Sequence, residues 1–152
     1  MRIERPRVSR GVGLTEVRIR MMLKTKCIRS PISRQTDGLR ILVTRFRGRG
    51  MPTTRYDVWM PSLGPSERLL TTFQAGRISW ARFVADYRAE LFIDGPVDSL
   101  NRSIKNHGQK FTLRLVKRLA RNGSVTLMCH CAEDQDRCHR HVLRQLILSH
   151  RV

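Results

Sequence analysis

Acidic residues are scarce in this 152-residue sequence: 12 Asp and Glu stand against 30 Lys and Arg, a formal charge of +18. Most of the bases are arginine. Such a balance disfavours basic partners and favours polyanions, through steering and counterion release. Cysteines number four, too few for a dense disulfide scaffold or a secreted mini-protein. No apolar run is long enough to span a membrane, and the N-terminus lacks the apolar core of a secretory signal. Internal repeats and a second domain are also missing. These absences point to a cytoplasmic protein in a reducing compartment. Aromatics are only 6% of the chain, and Trp59 reads as a core residue rather than a base-stacking platform. The apolar content of 40% is enough for one domain with a real core.

What is present concentrates near the C-terminus. After Asn122-Gly123 comes a compact apolar run, Val125 to Cys129, which reads as a strand. Val142, Leu143, Leu146 and Ile147 then recur at helical spacing. Between Cys129 and His141 lie three of the four cysteines, three of the five histidines and three of the twelve acids. Reactive side chains therefore gather in a strand-to-helix loop, where open α/β sheets place ligands.

Upstream, residues 1–21 read as a basic arm, mobile or belonging to a start codon placed too early, and residues 22–152 as the folded domain. Leu23 to Ile28 and Leu39 to Thr44 read as strands, the second buried on both faces as in a parallel sheet. Arg45-Phe46-Arg47-Gly48-Arg49-Gly50 follows it directly, a turn suited to phosphate or carboxylate. Tyr56 to Met60 reads as an edge strand. Ser66 and Ser79 are expected helix N-caps. Trp80, Phe83, Val84, Tyr87 and Leu91 form an amphipathic stripe, and Asp98 to Asn106 a short polar helix. Phe111, Leu115, Val116 and Leu119 mark a further helix. The expected fold class is α/β, a small single domain with a short, mostly parallel sheet flanked by helices.

Several stretches resemble signatures of one family. Asp37-Gly38-Leu39-Arg40, Leu42-Val43-Thr44-Arg45 and Arg49-Gly50 resemble the first. Asp57, Trp59 and Pro65-Ser66 resemble the second. Phe83 with Tyr87 to Leu91 resembles the third. Val125 to Cys131, Glu133 and Cys138-His139-Arg140 resemble the last. The chain from about Leu23 onward is similar to the family known as domain of unknown function 488, nearest its YeaO-like branch. It departs at Thr44, Arg47 and Gly48, where an acid, a tryptophan and a proline are more usual. The resemblance implies a single α/β domain of unestablished biochemistry. It also implies that the Arg45–Gly50 and Cys131–Arg140 loops are the family's characteristic places.

If the preceding strands are parallel, both loops lie on one sheet edge. The expectation is a single cleft lined by Arg45, Arg49, Glu133, Cys138, His139 and Arg140. It would bind a phosphorylated or polyanionic ligand, a nucleotide or nucleic acid, at the N-terminus of the last helix. Arg45, Arg49, His139 and Arg140 are its candidate ligand-binding residues. Glu133 is its candidate acid, base or nucleophile, and Cys138 its candidate nucleophilic thiol. Two alternatives stand beside this reading. One is a non-enzymatic basic module that holds nucleic acid. The other is a zinc site from Cys129, Cys131, Cys138 and His139. A phosphatase-type thiolate loop is disfavoured, because the residues after His130-Cys131 are Ala-Glu-Asp-Gln-Asp, three charges that repel phosphate. A Cys131–Cys138 disulfide is disfavoured in a reducing cell.

Overall fold

The computed structural model describes residues 21–96, 100, 103 and 107–152. Almost all of the expected basic arm and most of the expected polar helix over 98–106 lie outside these residues. Four strands are described, β1 (Leu23–Cys27), β2 (Leu39–Leu42), β3 (Val58–Trp59) and β4 (Val125–Cys129). Four α-helices accompany them, α1 (Glu67–Gln74), α2 (Trp80–Glu90), α3 (Lys110–Asn122) and α4 (His139–Leu148). The strands form one sheet in the order β1-β4-β2-β3, and every pairing is parallel. The domain is therefore α/β, as its alternating patterns predict. The last strand is inserted between the first two. All strand C-terminal ends consequently point to one edge, where the loops after β1, β2, β3 and β4 emerge.

Alternation along the strands sorts the core into two layers. Ile41, Val43, Val125 and Leu127 join Phe83, Tyr87, Leu113, Val116, Leu143 and Ile147 in the main apolar cluster. All four helices contribute to it. On the other face Leu42 and Met128 pack with Ile28, Met51 and Tyr56, so loop residues rather than helices close that side. Ser66 and Ser79 cap α1 and α2, each accepting from a backbone N–H three residues on. Burial of the α2 stripe falls on Phe83, Tyr87 and Leu91, with Trp80 and Val84 packed at its margin.

Two sequence expectations need correction. Trp59 is 40% exposed, because β3 is the two-residue edge of the sheet, and its indole Nε1 donates to Thr44 O at 2.8 Å. In α3 the apolar residues divide between both faces. Leu113, Val116 and Ala120 are buried while Phe111, Leu115 and Leu119 are exposed. The buried face even includes Lys117, whose ammonium reaches the carbonyls of Ser149 and Val152 at 2.7 Å.

The β1–β2 connection is held by one buried acid. Asp37 is 3% exposed, and its carboxylate accepts from Lys26 Nζ at 2.8 Å and from the Ser33 N–H at 2.8 Å. Its carbonyl accepts from the buried Thr126 hydroxyl of β4 at 2.6 Å. Beside it Gly38, at φ +60, approaches so closely that a Cβ would lie 1.9 Å from Ser124 O. Only glycine lets β2 enter the sheet there. Burial pushes the Asp37 carboxyl up, but the hydrogen bonds from Lys26 and Ser33 outweigh it and hold the group below its ordinary value. The hydrogen bond from Arg40 lowers Asp57 likewise. A carboxylate lowered in the folded state stabilises fully above its unfolded pKa and loses that contribution as pH falls. Urea unfolding across a pH series should show stability declining below about pH 4. Asp37→Asn should flatten that decline and lower neutral-pH stability by about 1–3 kcal/mol.

Candidate functional site

The C-terminal edge of the sheet is built by interlocking loops. β4 is buried along its whole length and ends at Cys129. The chain then bends through residues 130–138 and enters α4 with Cys138 at the N-cap. The loop is wound around a guanidinium. Arg140 is fully buried, and its Nη1 donates to Cys131 O at 2.9 Å and to Cys129 Sγ at 3.2 Å. Its Nη2 donates to Ala132 O at 2.8 Å and Glu133 O at 3.1 Å. Four of its five N–H donors are thus used, and Nε alone has no partner among the described residues.

Glu133 ties this loop to the first strand. Its Oε2 accepts from the Cys27 N–H and from the Ser30 hydroxyl, both at 2.6 Å. Burial raises its pKa, yet these bonds and the nearby Arg140 and Lys26 charges outweigh burial and hold it below the ordinary carboxylate range. It is an ionised anchor. The loop after β2 docks from the other side. His139 is buried, and its Nε2 donates to Val43 O at 2.8 Å with its ring edge-on to Tyr87. A carbonyl can only accept, so Nε2 carries the proton. Burial lowers the imidazole pKa, which leaves Nδ1 as the unprotonated nitrogen. His130 Nε2 reaches Phe46 O at 3.3 Å. Gly48, at φ +90, seats that ring: a Cβ there would lie 2.8 Å from His130 Cε1.

Three thiols meet where the strand, loop and helix join. The sulfurs of Cys129, Cys131 and Cys138 lie within 4.8 Å of one another, and Cys129 Sγ is 3.1 Å from Cys138 Sγ. Cys129 and Cys138 are buried; Cys131 is half-buried. Hydrogen bonds from Cys129 and Cys138 hold the Cys131 thiol far below its ordinary value, and the same sharing pushes Cys129 and Cys138 up. The Arg140 and Cys131 N–H donors nevertheless converge on Cys129 Sγ.

The expected site residues separate into groups. Cys138, His139 and Arg140 stand together with Cys129 and Cys131, but they are buried and committed to internal bonds rather than presented along an open cleft. Arg45 is turned aside, donating to Gly64 O at 2.8 Å and Pro65 O at 3.1 Å. His139 Nδ1 is 4.0 Å from Cys138 Sγ, outside the three-thiol group. Arg49 lies apart, in a hollow of about 390 Å³ with Arg29, Arg55, Ile28, Met51 and Pro52. Arg55 is the link between the two regions. It donates to Ile28 O and to Ser30 O at 2.6 Å, and Ser30 holds Glu133. Sequence reading missed Arg29 and Arg55. Arg29 follows the first strand directly, and a parallel sheet carries that position to the same edge as Arg49; Arg55 has no comparable signal. In another hollow, of about 380 Å³ between α1 and α2, three of the four charged groups are internally engaged: Arg82 pairs with Asp86 at 2.8 Å, and Glu90 accepts from the Ser66 N–H.

Fold and site together define a small parallel α/β domain that gathers thiols, a buried guanidinium and an arginine-lined hollow at one sheet edge. A family model described as DUF488-N3a, the active DUF488-N3 subclade, matches residues 23–151. The chain belongs to the DUF488 family. No curated protein and no solved structure matches it. Among the described residues no helix is long and apolar enough to cross a membrane.

The buried guanidinium is the feature most open to mutation. Arg140→Leu strips three loop carbonyls and the Cys129 sulfur of their donors, and should cost about 3–5 kcal/mol in chemical denaturation. Arg140→Lys keeps the charge but not the planar fork, and should recover only part of that loss.

Proposed function

We propose that the protein binds a phosphorylated ligand of nucleotide size at the C-terminal edge of its sheet. The observation that carries this reading is the hollow bordered by Arg29, Arg49 and Arg55 with no carboxylate in its lining. Arginine forks suit phosphate oxygens, and Ile28, Met51 and Pro52 supply an apolar wall for a base or sugar. Arg55 is pre-oriented by Ile28 O and Ser30 O, which leaves its Nη1 unengaged among the described residues. Gly50, at φ +70, has open space beside it, so backbone can approach a ligand there. The ligand-binding role expected of Arg49 is retained in this reading. For Arg45, His139 and Arg140 the better-supported role is holding the loops that shape the edge. Glu133, ionised and doubly hydrogen-bonded, serves the same framework and is poorly suited to donate a proton.

Calorimetric titration with adenosine monophosphate and with pyrophosphate tests this directly. Arg49→Ala should weaken binding by about 1.5–3 kcal/mol, roughly tenfold to a hundredfold, while leaving thermal stability unchanged. Equal affinity in the variant would refute the reading.

A second reading, a non-enzymatic nucleic-acid module, draws on the charge of +18 and on α3, which contains no acid and exposes Arg114, Arg118 and Arg121. Its signature is binding to a single-stranded oligonucleotide that weakens steeply with salt and is insensitive to Arg49→Ala.

A further inference from the structure

The geometry points to a metal site: Cys129, Cys131 and Cys138 together hold a thiophilic divalent cation of the zinc class. This assignment is independent of the arginine-lined hollow and does not use its residues. A tetrahedral zinc–thiolate centre, with zinc–sulfur bonds near 2.3 Å, sets its sulfurs about 3.8 Å apart. The three sulfurs here are separated by between 3.1 Å for Cys129–Cys138 and at most 4.8 Å for any pair. They already bracket that spacing without any change of backbone path.

The surroundings suit thiolates as well as the spacing does. Cys129 Sγ accepts from the Cys131 N–H at 3.3 Å and from Arg140 Nη1 at 3.2 Å. Donors of this kind tune and orient sulfur ligands from outside the coordination sphere. Charge decides the matter further. Three thiolates and one divalent cation sum to −1, and the buried guanidinium of Arg140 brings the assembly to zero. A buried cluster must be neutralised in this way, because an unpaired charge is costly away from water. The three ligands come from rigid places, the end of β4, the bend after it and the N-cap of α4. Cys131 is the half-buried member, so the site is most open to a fourth ligand on its side.

The test uses the full chain under reductant, stripped with a chelator and titrated with Zn²⁺ and separately with Co²⁺. One equivalent should bind per chain, and the cobalt form should show sulfur-to-metal charge transfer with intense tetrahedral d–d bands. Cys131→Ser should weaken zinc binding by roughly a hundredfold or more, since each ligand carries a large share of the binding energy. Cys27→Ser, at the one cysteine outside the cluster, should leave affinity unchanged. Because serine at the buried positions can disturb folding, the wild-type chain supplies a second readout. One equivalent of zinc should slow maleimide alkylation of Cys131, and chelator should restore it. Substoichiometric metal, a cobalt spectrum without sulfur charge transfer, or unprotected Cys131 would each overturn the assignment. So would a Cys129–Cys138 disulfide in place of bound metal under reductant.

Discussion

Parallel pairing of β4 with both β1 and β2 is the constraint on which the rest of the structure depends. β4 is the last strand in the chain and lies inside the sheet. Its hydrogen bonds align Cys27 with Cys129 on one side and Leu42 with Met128 on the other. That register brings the loops after the first, second and fourth strands to a common edge. Ile28 N–H on Cys129 O and Val43 N–H on Met128 O, at 2.8 and 2.9 Å, extend the alignment past the strand ends. Every feature of the candidate site, from the thiols to the arginine-lined hollow, follows from that convergence.

The scarcity of acids acquires a structural meaning around the sheet. Asp37 pins the connection before β2, Asp57 pairs with Arg40 across the edge strand at 2.7 Å, and Glu133 fastens the last loop to β1. These three carboxylates are thus used to hold connections in place, and none of them lines the hollow formed by Arg29, Arg49 and Arg55. Arg29 and Arg49 are left exposed around a hollow with an apolar wall. Within the lining of that hollow guanidinium is present without carboxylate, and such a local excess is what an anionic ligand reads. The thiol cluster lies on the other side of Glu133, where Arg140 supplies charge from within the protein. Two kinds of arginine result: some, such as Arg140 and Arg45, are spent on loop carbonyls, and others, such as Arg29 and Arg49, stand exposed.

Much of the fold was legible in the residues themselves. The strands at Leu23, Leu39 and Val125, the serine caps of α1 and α2, and the start of α4 near Cys138 all follow from short-range pattern and capping chemistry. The errors came where a residue's environment depends on distant chain. Trp59 carries an apolar ring that fits a core, but edge position exposes it. In α3 both faces carry apolar residues, so periodicity alone could not choose between Leu113 and Leu115. At the site, spacing drew attention to Cys129, Cys131 and Cys138, since alternation aims the first two alike. It could not show that Arg140 would turn inward onto the loop, or that Arg45 would be spent on the carbonyls of Gly64 and Pro65.

Local chemistry along the chain determined the α/β class, the element types and the clustering of thiols, histidines and acids in one strand-to-helix loop. These depend on neighbours a few residues apart, through periodicity, capping and alternation. Only tertiary structure decided which arginines are free and which are consumed, and that Arg29 and Arg55 border the same hollow as Arg49. A guanidinium reaches as readily inward to a carbonyl as outward to solvent, and the choice is set by what the fold brings within hydrogen-bond distance.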